Sequence, residues 1–567
     1  MTVERNAEIE SASLPSVESY KRQSIFSSSL HQVQSILRRT PVALVAVVVG
    51  LITFLVHGYR LGAAPDVFSD EGVYLLIGIS VAKGKGITVN GMPFLYHPPA
   101  YFLIEAAYIK LARLTGTDLL TALFSVRYLN VFFSASTASL LLLFGRKLHS
   151  YKAGLITAGL FLMDPYVQRI NRRNMLESLA MLCVLIGFYI FFTHAQRLRN
   201  WRWLGSGIAF GLAALTKEPM LLFLFAFPGI VAWANHAQLG DATRTTAIAC
   251  LLYLLYPLWE FTIGQGSLYL AYKRSEVDSV IVSITSFIGR QGGNVYAPKR
   301  VSPENLQILL GTYGSSYLLI GLAGIFTIIL FLRFRPIMEA RFLLLLGVFS
   351  FGFGLIFGHS SDQYFYYLIV PALLVNGYCL AILSESLRYP RRWRIAIPLF
   401  LYLLFLYNCG LWITNYGFGS DDGYTKIITY VKAHIPADEI INASDDVASY
   451  FLSPAYDVRL DRDKKVIIAL HEHYFIMSSK DQWDDFNGTT PQFYDWIVQN
   501  SQPLLVEQDA SFWTIGLYYF KVPGGNRLTS GSAGHSSQES SAQGISPYIY
   551  QKKPEQPHRE PFDNSGT

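Results

Sequence analysis

The chain has 567 residues, of which 51% are hydrophobic and 15% are charged, and its mean hydropathy is +0.30. A soluble protein of this length carries about a quarter charged residues, so the composition excludes an ordinary soluble protein and predicts a polytopic membrane protein. The formal net charge of +6 lies largely in Arg and Lys pairs beside apolar runs, which is the pattern of membrane orientation. No nucleic-acid-binding motif accompanies it, and a nucleic-acid partner is therefore not expected.

A polar segment, residues 1–38, precedes the first apolar run and is expected to be cytoplasmic. Such a long polar lead argues against a cleaved signal peptide. Residues 39–414 then form the predicted transmembrane domain, because successive apolar runs approach the roughly 20 residues that cross a bilayer. About eleven candidate spans lie near 41–59, 126–144, 152–168, 176–193, 203–216, 219–235, 245–263, 308–332, 342–358, 364–384 and 394–413.

The segment 97–114 is apolar but short, and it carries Glu105, Lys110 and Arg113. Each charge would cost roughly 2.5–3.5 kcal/mol at the bilayer centre, so we expect an interfacial or re-entrant helix here and not a span. With this choice the basic clusters all fall on the cytoplasmic side, as the positive-inside rule requires. These clusters are Arg38-Arg39, Arg146-Lys147 and the stretches 196–202, 333–341 and 388–394. The pattern predicts a multi-pass plasma-membrane protein with a cytoplasmic N-terminus and an extracytoplasmic C-terminus.

Three regions are then expected on the outer side of the membrane: the loops 59–125 and 264–306, and the chain from residue 415. Residues 415–522 are predicted to form a small extracytoplasmic α/β domain, because they combine helical periodicity with extended apolar runs. The tail 523–567 is rich in Gly, Ser and Gln, and we expect it to be disordered.

Two adjacent carboxylates, Asp70 and Glu71, stand in the first outer loop directly after Ser69. Ser69 is a good N-cap and a helix-like stretch follows, so Asp70 is expected in the first turn of a helix. The helix dipole favours the ionised form there, and an ionised carboxylate that faces solvent can accept a proton from a hydroxyl. The alternative is that the two acids only complement the helix N-terminus.

Five motifs follow one another along the membrane domain. They are DEGVY (70–74), NGMPFLYHPPAYFLI (90–104), VRYLNVFFSASTASLLLLFGRKL (126–148), DPYVQRINRRNMLES (164–178) and GLAALTKEPMLL (211–222). In their order and spacing the chain resembles the GT-C superfamily of polyprenyl-phosphate-sugar glycosyltransferases, most nearly the protein O-mannosyltransferases and the lipid A aminoarabinose transferases. The resemblance implies an all-α, polytopic GT-C membrane fold with interfacial helices. The aminoarabinose transferases have arginine in place of Val73 and lysine in place of His97, so their sugar specificity is not implied.

By this resemblance Asp70 is the expected catalytic base, and Glu71 completes the acidic pair. His97 stands in the His-Pro-Pro motif of the mannosyltransferases, where it is expected to contact substrate. Glu177 occupies a position where relatives often have aspartate, and it is likewise a candidate substrate-binding residue. Lys217 resembles the lysine that contacts the lipid phosphate.

Further basic residues are candidate ligands of the donor phosphate. Arg127 lies near the outer start of a predicted span, and Arg172 and Arg173 belong to a run of arginines placed outside, against the positive-inside trend. A cation at headgroup depth attracts a phosphate strongly because it is partly desolvated. The alternative for each, and for Lys217, is contact with ordinary lipid headgroups. Tyr74 is expected to contact the sugar or to anchor the chain at the interface.

Sugar transfer from a lipid phosphate needs one base for the acceptor hydroxyl, and its phosphate leaving group needs cationic stabilisation and not a second carboxylic acid. The implied partners are a polyprenyl-phosphate sugar donor, a glycan, lipid or protein acceptor, and membrane lipids. The resemblance names no required cofactor and leaves a divalent metal open. The alternative function is a non-enzymatic lipid or solute transporter, which would carry its charges mid-span in two related halves. Here the charges cluster at the outer ends of predicted spans, which favours the enzyme.

The predicted topology can be tested by labelling single cysteines. Labels on residues 66–96 and on the C-terminal domain should react from outside, whereas labels near 196–202 should react only after permeabilisation. Reaction of 196–202 from outside would overturn the arrangement of eleven spans.

Overall fold

The computed structural model of the protein describes residues 41–192, 201–234, 236–288, 303–333, 365–385, 391–453, 455–479, 489–508 and 514–521. The predicted segment 1–38, the predicted span 342–358 and the tail 523–567 lie outside these described residues. The chain divides into two compact units. The first comprises residues up to Leu61 together with Tyr74–Phe418, and the second comprises Gly62–Val73 together with the chain from Gly419.

The first unit is built from helices. They are α1 (Val42–Gly58), α2 (Ser69–Ala82, whose first turn groups with the second unit), α3 (Ala100–Leu111), α4 (Leu119–Leu148), α5 (Tyr151–Met163), α6 (Pro165–Asn171), α7 (Leu176–Phe191), α8 (Arg202–Thr216), α9 (Met220–Ala234), α10 (Leu239–Thr262), α11 (Gly266–Ile288), α12 (Pro303–Arg333), α13 (Tyr366–Glu385) and α14 (Arg391–Trp412). A short antiparallel hairpin, β1 (Thr88–Val89) and β2 (Met92–Pro93), precedes α3.

The core of this unit lies where α4, α7 and α8 pack. Helix α4 packs against α1, α5 and α7, and α8 packs against both α7 and α10. Phe188 of α7, Phe210 of α8 and Phe227 of α9 meet with ring centroids 5.0–5.6 Å apart, an edge-to-face cluster of the kind that aromatic rings prefer. This packing fixes the ends of α7 and α8 relative to each other.

The composition of the helices agrees with a membrane protein. Among the residues that the structure describes, five helical stretches are long and apolar enough to cross a bilayer, or six if the bent pair α6–α7 counts as one. Three shorter apolar helical stretches lie at Val42–Gly58, Tyr151–Met163 and Met220–Gly229. Large apolar side chains such as Leu251 and Leu258 of α10 are exposed, as expected of a face that contacts lipid. The count of eleven spans stays a prediction.

One expected helix is broken. The sequence predicts a continuous span over 152–168, but α5 ends at Met163 and α6 begins at Pro165. The residue before a proline avoids the helical region, and the Asp164 carboxylate instead accepts the Tyr166 and Val167 N–H groups at 3.0 and 2.9 Å. After α6 the chain bends by 108° into α7. This bend carries Arg172 and Arg173 of the RINRRN run and leads into Glu177.

The second unit contains a mixed five-stranded sheet with helices. Its elements are α15 (Gly423–His434), β3 (Ile440–Ala443), α16 (Asp446–Leu452), β4 (Asp457–Arg459), α17 (Lys464–Ala469), β5 (Tyr474–Ser478), α18 (Pro491–Asn500), β6 (Ser501–Gln508) and β7 (Thr514–Phe520). The strand order is β4-β3-β5-β7-β6, in which β3 runs parallel to β4 and β5 while β7 runs antiparallel to β5 and β6. Phe475, Met477 and Ile497 are buried in its core.

Residues 62–73 are held in this unit by Asp66, which sequence reasoning did not single out. Its carboxylate accepts the Tyr424 N–H at 2.7 Å and the Val67 N–H at 2.8 Å, and it is almost completely buried. Helix α15 has no capping side chain of its own at Asp422, so Asp66 supplies one from a distant part of the sequence. The segment that carries Asp70 is thereby fixed on α15.

Candidate functional site

A buried ion pair joins two of the predicted site residues. Helix α8 ends at Thr216, and Lys217 is extended (φ −151°, ψ 122°) just before Glu218-Pro219. Its ammonium contacts the carboxylate of Glu177 in the first turn of α7, and the side chains are 1% and 0% exposed. Buried charges of this kind are found only where they are paired. The end of α8 and the start of α7 therefore place one cation and one anion together inside the first unit.

The carboxylate of Glu177 keeps one oxygen for another contact. Lys217 binds its Oε1, and among the described residues no hydrogen-bond donor reaches the buried Oε2. Nearby, the hydroxyls of Ser178 and Tyr366 donate to Asn171 Oδ1 at 2.7 and 2.9 Å. Because buried polar atoms are normally hydrogen-bonded, Glu177 Oε2 can accept a hydrogen bond from a ligand hydroxyl.

His97 lies in an aromatic setting beside cations. Its ring is 5.9 Å from the rings of Tyr74 and Phe94. Desolvation lowers the pKa of His97 well below its ordinary value, and the positive charges of Lys217 and Lys273 lower it further. At neutral pH the imidazole is therefore uncharged. It can hydrogen-bond to a ligand, but it adds no positive charge to the site.

The helix predicted at 97–114 is present as α3, and its acid is buried. Asn174 Nδ2 donates to Glu105 Oε1 at 2.7 Å, and burial raises the pKa of Glu105 well above its ordinary value. A Cβ on Gly78 would lie 2.8 Å from this carboxyl group, so α2 approaches it closely only because it has glycine there. From the sequence, Glu105 was considered only as a charge that disfavours a membrane span.

Asparagines shape the bend between α6 and α7. Asn130 Nδ2 donates to the carbonyls of Arg173 and Met175 at 2.5 and 2.7 Å, and its Oδ1 accepts the Tyr101 hydroxyl at 2.9 Å. Tyr101 also contacts Asn174. These bonds satisfy the backbone where the helix is interrupted and so fix the start of α7, which carries Glu177.

The predicted arginines bind backbone carbonyl groups at the end of α1. Arg127 donates to the Leu61 carbonyl at 2.8 Å, and Arg172 donates to those of His57 and Tyr59 at 2.9 and 2.6 Å. Both side chains are fully buried, and Arg173 is nearly so. These contacts give Arg127 and Arg172 a structural role that the sequence did not indicate. A phosphate contact of the three arginines stays a prediction.

In the second unit, Glu71 caps the start of α2. Its Oε2 accepts the Phe68 N–H at 3.1 Å, the bond that a glutamate makes back to the cap residue in a capping box. The helix begins at Ser69, so the expected cap residue lies inside the first turn and Phe68 takes the cap position. The buried Glu71 therefore complements the helix N-terminus, which was the alternative reading of the acidic pair.

Asp70 is half-buried and lies in an acidic environment. Burial raises the pKa of Tyr450, and the negative charges of Asp446, Asp70 and Asp445 raise it further. A Cβ on Gly72 would lie 2.9 Å from Tyr450, so this glycine permits the close contact. Tyr450 therefore remains a neutral hydrogen-bond donor beside Asp70. None of these neighbours from the C-terminal part of the chain carried a motif. Among the described residues, no group of three or more His, Cys, Asp or Glu side chains is arranged to hold a metal ion.

The fold of the chain is found in the GT-C class. It is similar to the oligosaccharyltransferase AglB from Archaeoglobus fulgidus, in complex with an inhibitory peptide and a dolichol-phosphate, with a TM-score of 0.52, 12% identity, and coverage of 86% of this chain and 75% of that one. For an oligosaccharyltransferase from the same organism in the apo form, the TM-score is 0.50, with 11% identity and coverage of 85% and 75%. For ArnT from Cupriavidus metallidurans, bound to undecaprenyl phosphate, the TM-score is 0.49, with 14% identity and coverage of 84% of this chain and 97% of that one.

A family model matches part of the sequence. The profile of the dolichyl-phosphate-mannose-protein mannosyltransferases matches residues 96–261, which include His97, Glu177 and Lys217. Curated protein sequences give no match. The family match and the shared fold confirm the resemblance to GT-C glycosyltransferases that the motifs carry. They also confirm the expectation of a glycosyltransferase.

The buried pair makes a prediction about stability. Glu177→Gln should destabilise the protein by about 3–5 kcal/mol, because Lys217 would lose the buried carboxylate that balances its charge. The double variant Lys217→Met/Glu177→Gln should recover most of that loss. Thermal unfolding in detergent measures both. Ser178→Ala is the matched control, since it removes one neutral hydrogen bond worth about 1 kcal/mol. A double variant less stable than Glu177→Gln would contradict the ion pair.

Proposed function

We propose that the protein is a membrane glycosyltransferase that moves a sugar from a polyprenyl-phosphate-linked donor to an acceptor hydroxyl on the outer face of the membrane. The observation that carries this proposal is the buried Lys217 ammonium held by Glu177 at the end of α8. A fixed, desolvated cation of this kind suits a phosphate. The family match over the same segment supports a donor of the lipid-phosphate type.

The reaction assigns one step to each group. Asp70 accepts the proton of the acceptor hydroxyl, whose oxygen then bonds to the anomeric carbon of the sugar. The bond between that carbon and the phosphate oxygen breaks, and polyprenyl phosphate leaves with one more negative charge than it had in the ester. Lys217 stabilises this growing charge, and it does so more strongly in the transition state than in the ground state.

Glu177 and His97 orient the donor in this proposal. The second carboxylate oxygen of Glu177 accepts a sugar hydroxyl, while its first oxygen keeps the Lys217 ammonium in position. His97, which is neutral, donates or accepts one hydrogen bond without adding charge, and Tyr74 packs against its ring. Arg127 and Arg172 support the site indirectly by holding the end of α1.

The function as a whole is tested by profiling lipid-linked sugars in cells with and without the protein. Deletion should cause one polyprenyl-phosphate sugar to accumulate, and restoring the gene product should remove it. That lipid would also identify the donor. An unchanged profile, with the acceptor still fully glycosylated, would contradict the proposal.

Lys217 should act on the donor and not on the acceptor. Removing its charge should slow transfer roughly 100- to 1000-fold, which corresponds to about 2.7–4 kcal/mol for one electrostatic contact to the transition state. The variant to measure is Lys217→Met/Glu177→Gln, because Lys217→Met alone would leave a buried carboxylate unpaired. Its rate is compared with that of Glu177→Gln, since Glu177 itself contacts the donor in this proposal. Lys217→Arg should rescue only partly, since a planar fork replaces a compact charge. A change confined to the apparent affinity for the acceptor would remove Lys217 as the phosphate ligand.

Asp70→Asn should abolish transfer and leave the unfolding temperature unchanged, because it removes the base and keeps the shape. Asp66→Ala, in the same segment, is the comparison variant for stability. It should lower the unfolding temperature, since the N-terminus of α15 would lose its cap at a cost of about 1 kcal/mol. Near-normal turnover by Asp70→Asn would rule it out as the base.

A further inference from the structure

A second lysine lies close to the Lys217 region and was not indicated by any motif. Lys273 of α11 is 17% exposed, and its ammonium makes three contacts. It donates to the Tyr96 carbonyl at 3.1 Å, to Glu218 Oε2 at 2.6 Å and to Glu276 Oε2 at 2.9 Å. An ammonium has three donors, so these contacts use all of them.

Two of these partners adjoin proposed donor-site residues. Tyr96 immediately precedes His97, and Glu218 immediately follows Lys217. Lys273 therefore ties the backbone of the His-Pro-Pro segment to the turn that carries Lys217. The adjacent side chains Lys217 and Glu218 make separate ion pairs, the first with Glu177 and the second with Lys273.

Aromatic contacts support the same connection. The Tyr253 hydroxyl donates to the other carboxylate oxygen of Glu218 at 2.8 Å. The ring of Tyr96 packs edge-to-face on Tyr272, the neighbour of Lys273, with centroids 4.6 Å apart. Tyr256 and Tyr269 pack around Leu95. Helices α10 and α11 thus contact both segments.

Charge balance explains why a cation is needed at this point. Burial raises the pKa of Glu276 to about 7 although Lys273 opposes the shift, and the charge of Glu218 adds to it. Without Lys273, Glu218 would lose the ion pair that ties it to α11, and Glu276 would lose the positive charge that opposes its raised pKa. The turn that carries Lys217 would then lose this link to α11.

We propose that Lys273 is a positioning residue of the donor site, which fixes His97 and Lys217 relative to each other through the Tyr96 carbonyl and Glu218. This inference rests on the proposed function, because it concerns the same donor. Lys273 touches neither reacting group in this account. It acts by holding the two segments that do.

The test compares Lys273→Met with Lys273→Arg, using as donor the polyprenyl-phosphate sugar that accumulates in cells without the protein. Lys273→Met should lower kcat/KM for the donor about 100-fold, the size of effect that a displacement of about 1 Å produces. Part of the loss should be a rise in the donor KM, with the acceptor KM unchanged. Lys273→Arg can still bind both carboxylates, so its kcat/KM for the donor should be at least tenfold higher than that of Lys273→Met. A loss of folded protein alone would lower the apparent kcat and leave both KM values unchanged.

Two further variants sharpen the result. Arg274→Gln is the matched control on the same helix, because Arg274 is 86% exposed and reaches only Asp278 across 4.0 Å among the described ion pairs. It should leave both KM values unchanged. Lys273→Met/Glu218→Gln removes both charges together, so it keeps the test informative if Lys273→Met does not fold. Because Lys273 acts through Glu218, the double variant should show the same rise in the donor KM as Glu218→Gln alone, and an unchanged donor KM in both would contradict the positioning role.

The outcomes separate the inference from the function. If the wild-type protein transfers the sugar and Lys273→Met has an unchanged donor KM, the positioning role is wrong and the proposed function stands. Equal rises in the donor and acceptor KM would also overturn it. If the wild-type protein transfers no sugar from that lipid, the proposed function fails, and the role of Lys273 fails with it.

Discussion

The first unit depends on a buried ion pair between Lys217 and Glu177. Two charges that are almost completely removed from water are tolerated only as a pair, and loss of one partner typically costs about 3–5 kcal/mol. The pair constrains two chain interruptions at once, because Glu177 begins α7 after a sharp bend and Lys217 ends α8 before a proline. Such a pair is weak evidence for stability by itself, since apolar residues of equal size would do as well. Its presence is better explained by the anionic ligand that we propose.

The two units perform different parts of the proposed chemistry. The first holds the cation, its carboxylate and the neutral His97, a set suited to an anionic donor with a hydroxylated sugar. The second holds Asp70 on a segment that Asp66 fixes to α15, with Tyr450 nearby as a neutral donor. Helix α2 connects the segments in sequence, with Glu71 as its cap.

Much of the helical framework could be predicted from the sequence, which also singled out the two residues that form the buried pair. The apolar runs predicted α7 and α8, and the resemblance singled out Lys217 and Glu177. The pairing of these two residues, however, depends on the packing of α7 against α8. Pro165 is a local signal for the break at Asp164-Pro165, but the run of apolar residues across this position led to the prediction of one continuous span. The backbone contacts of Arg127 and Arg172, the cap by Asp66 and the links of Lys273 join residues far apart in sequence. No local pattern encodes such contacts, so only the fold could reveal them.

A structure of the protein with a polyprenyl phosphate bound tests most directly whether Lys217 is the phosphate ligand. We expect a phosphate oxygen about 2.7–2.9 Å from Lys217 Nζ, the distance of a charge-assisted hydrogen bond. Lys273 should still bind the Tyr96 carbonyl and Glu218 in that complex. A phosphate bound to Arg172 and Arg173 instead, with the Lys217–Glu177 pair untouched, would contradict the central claim.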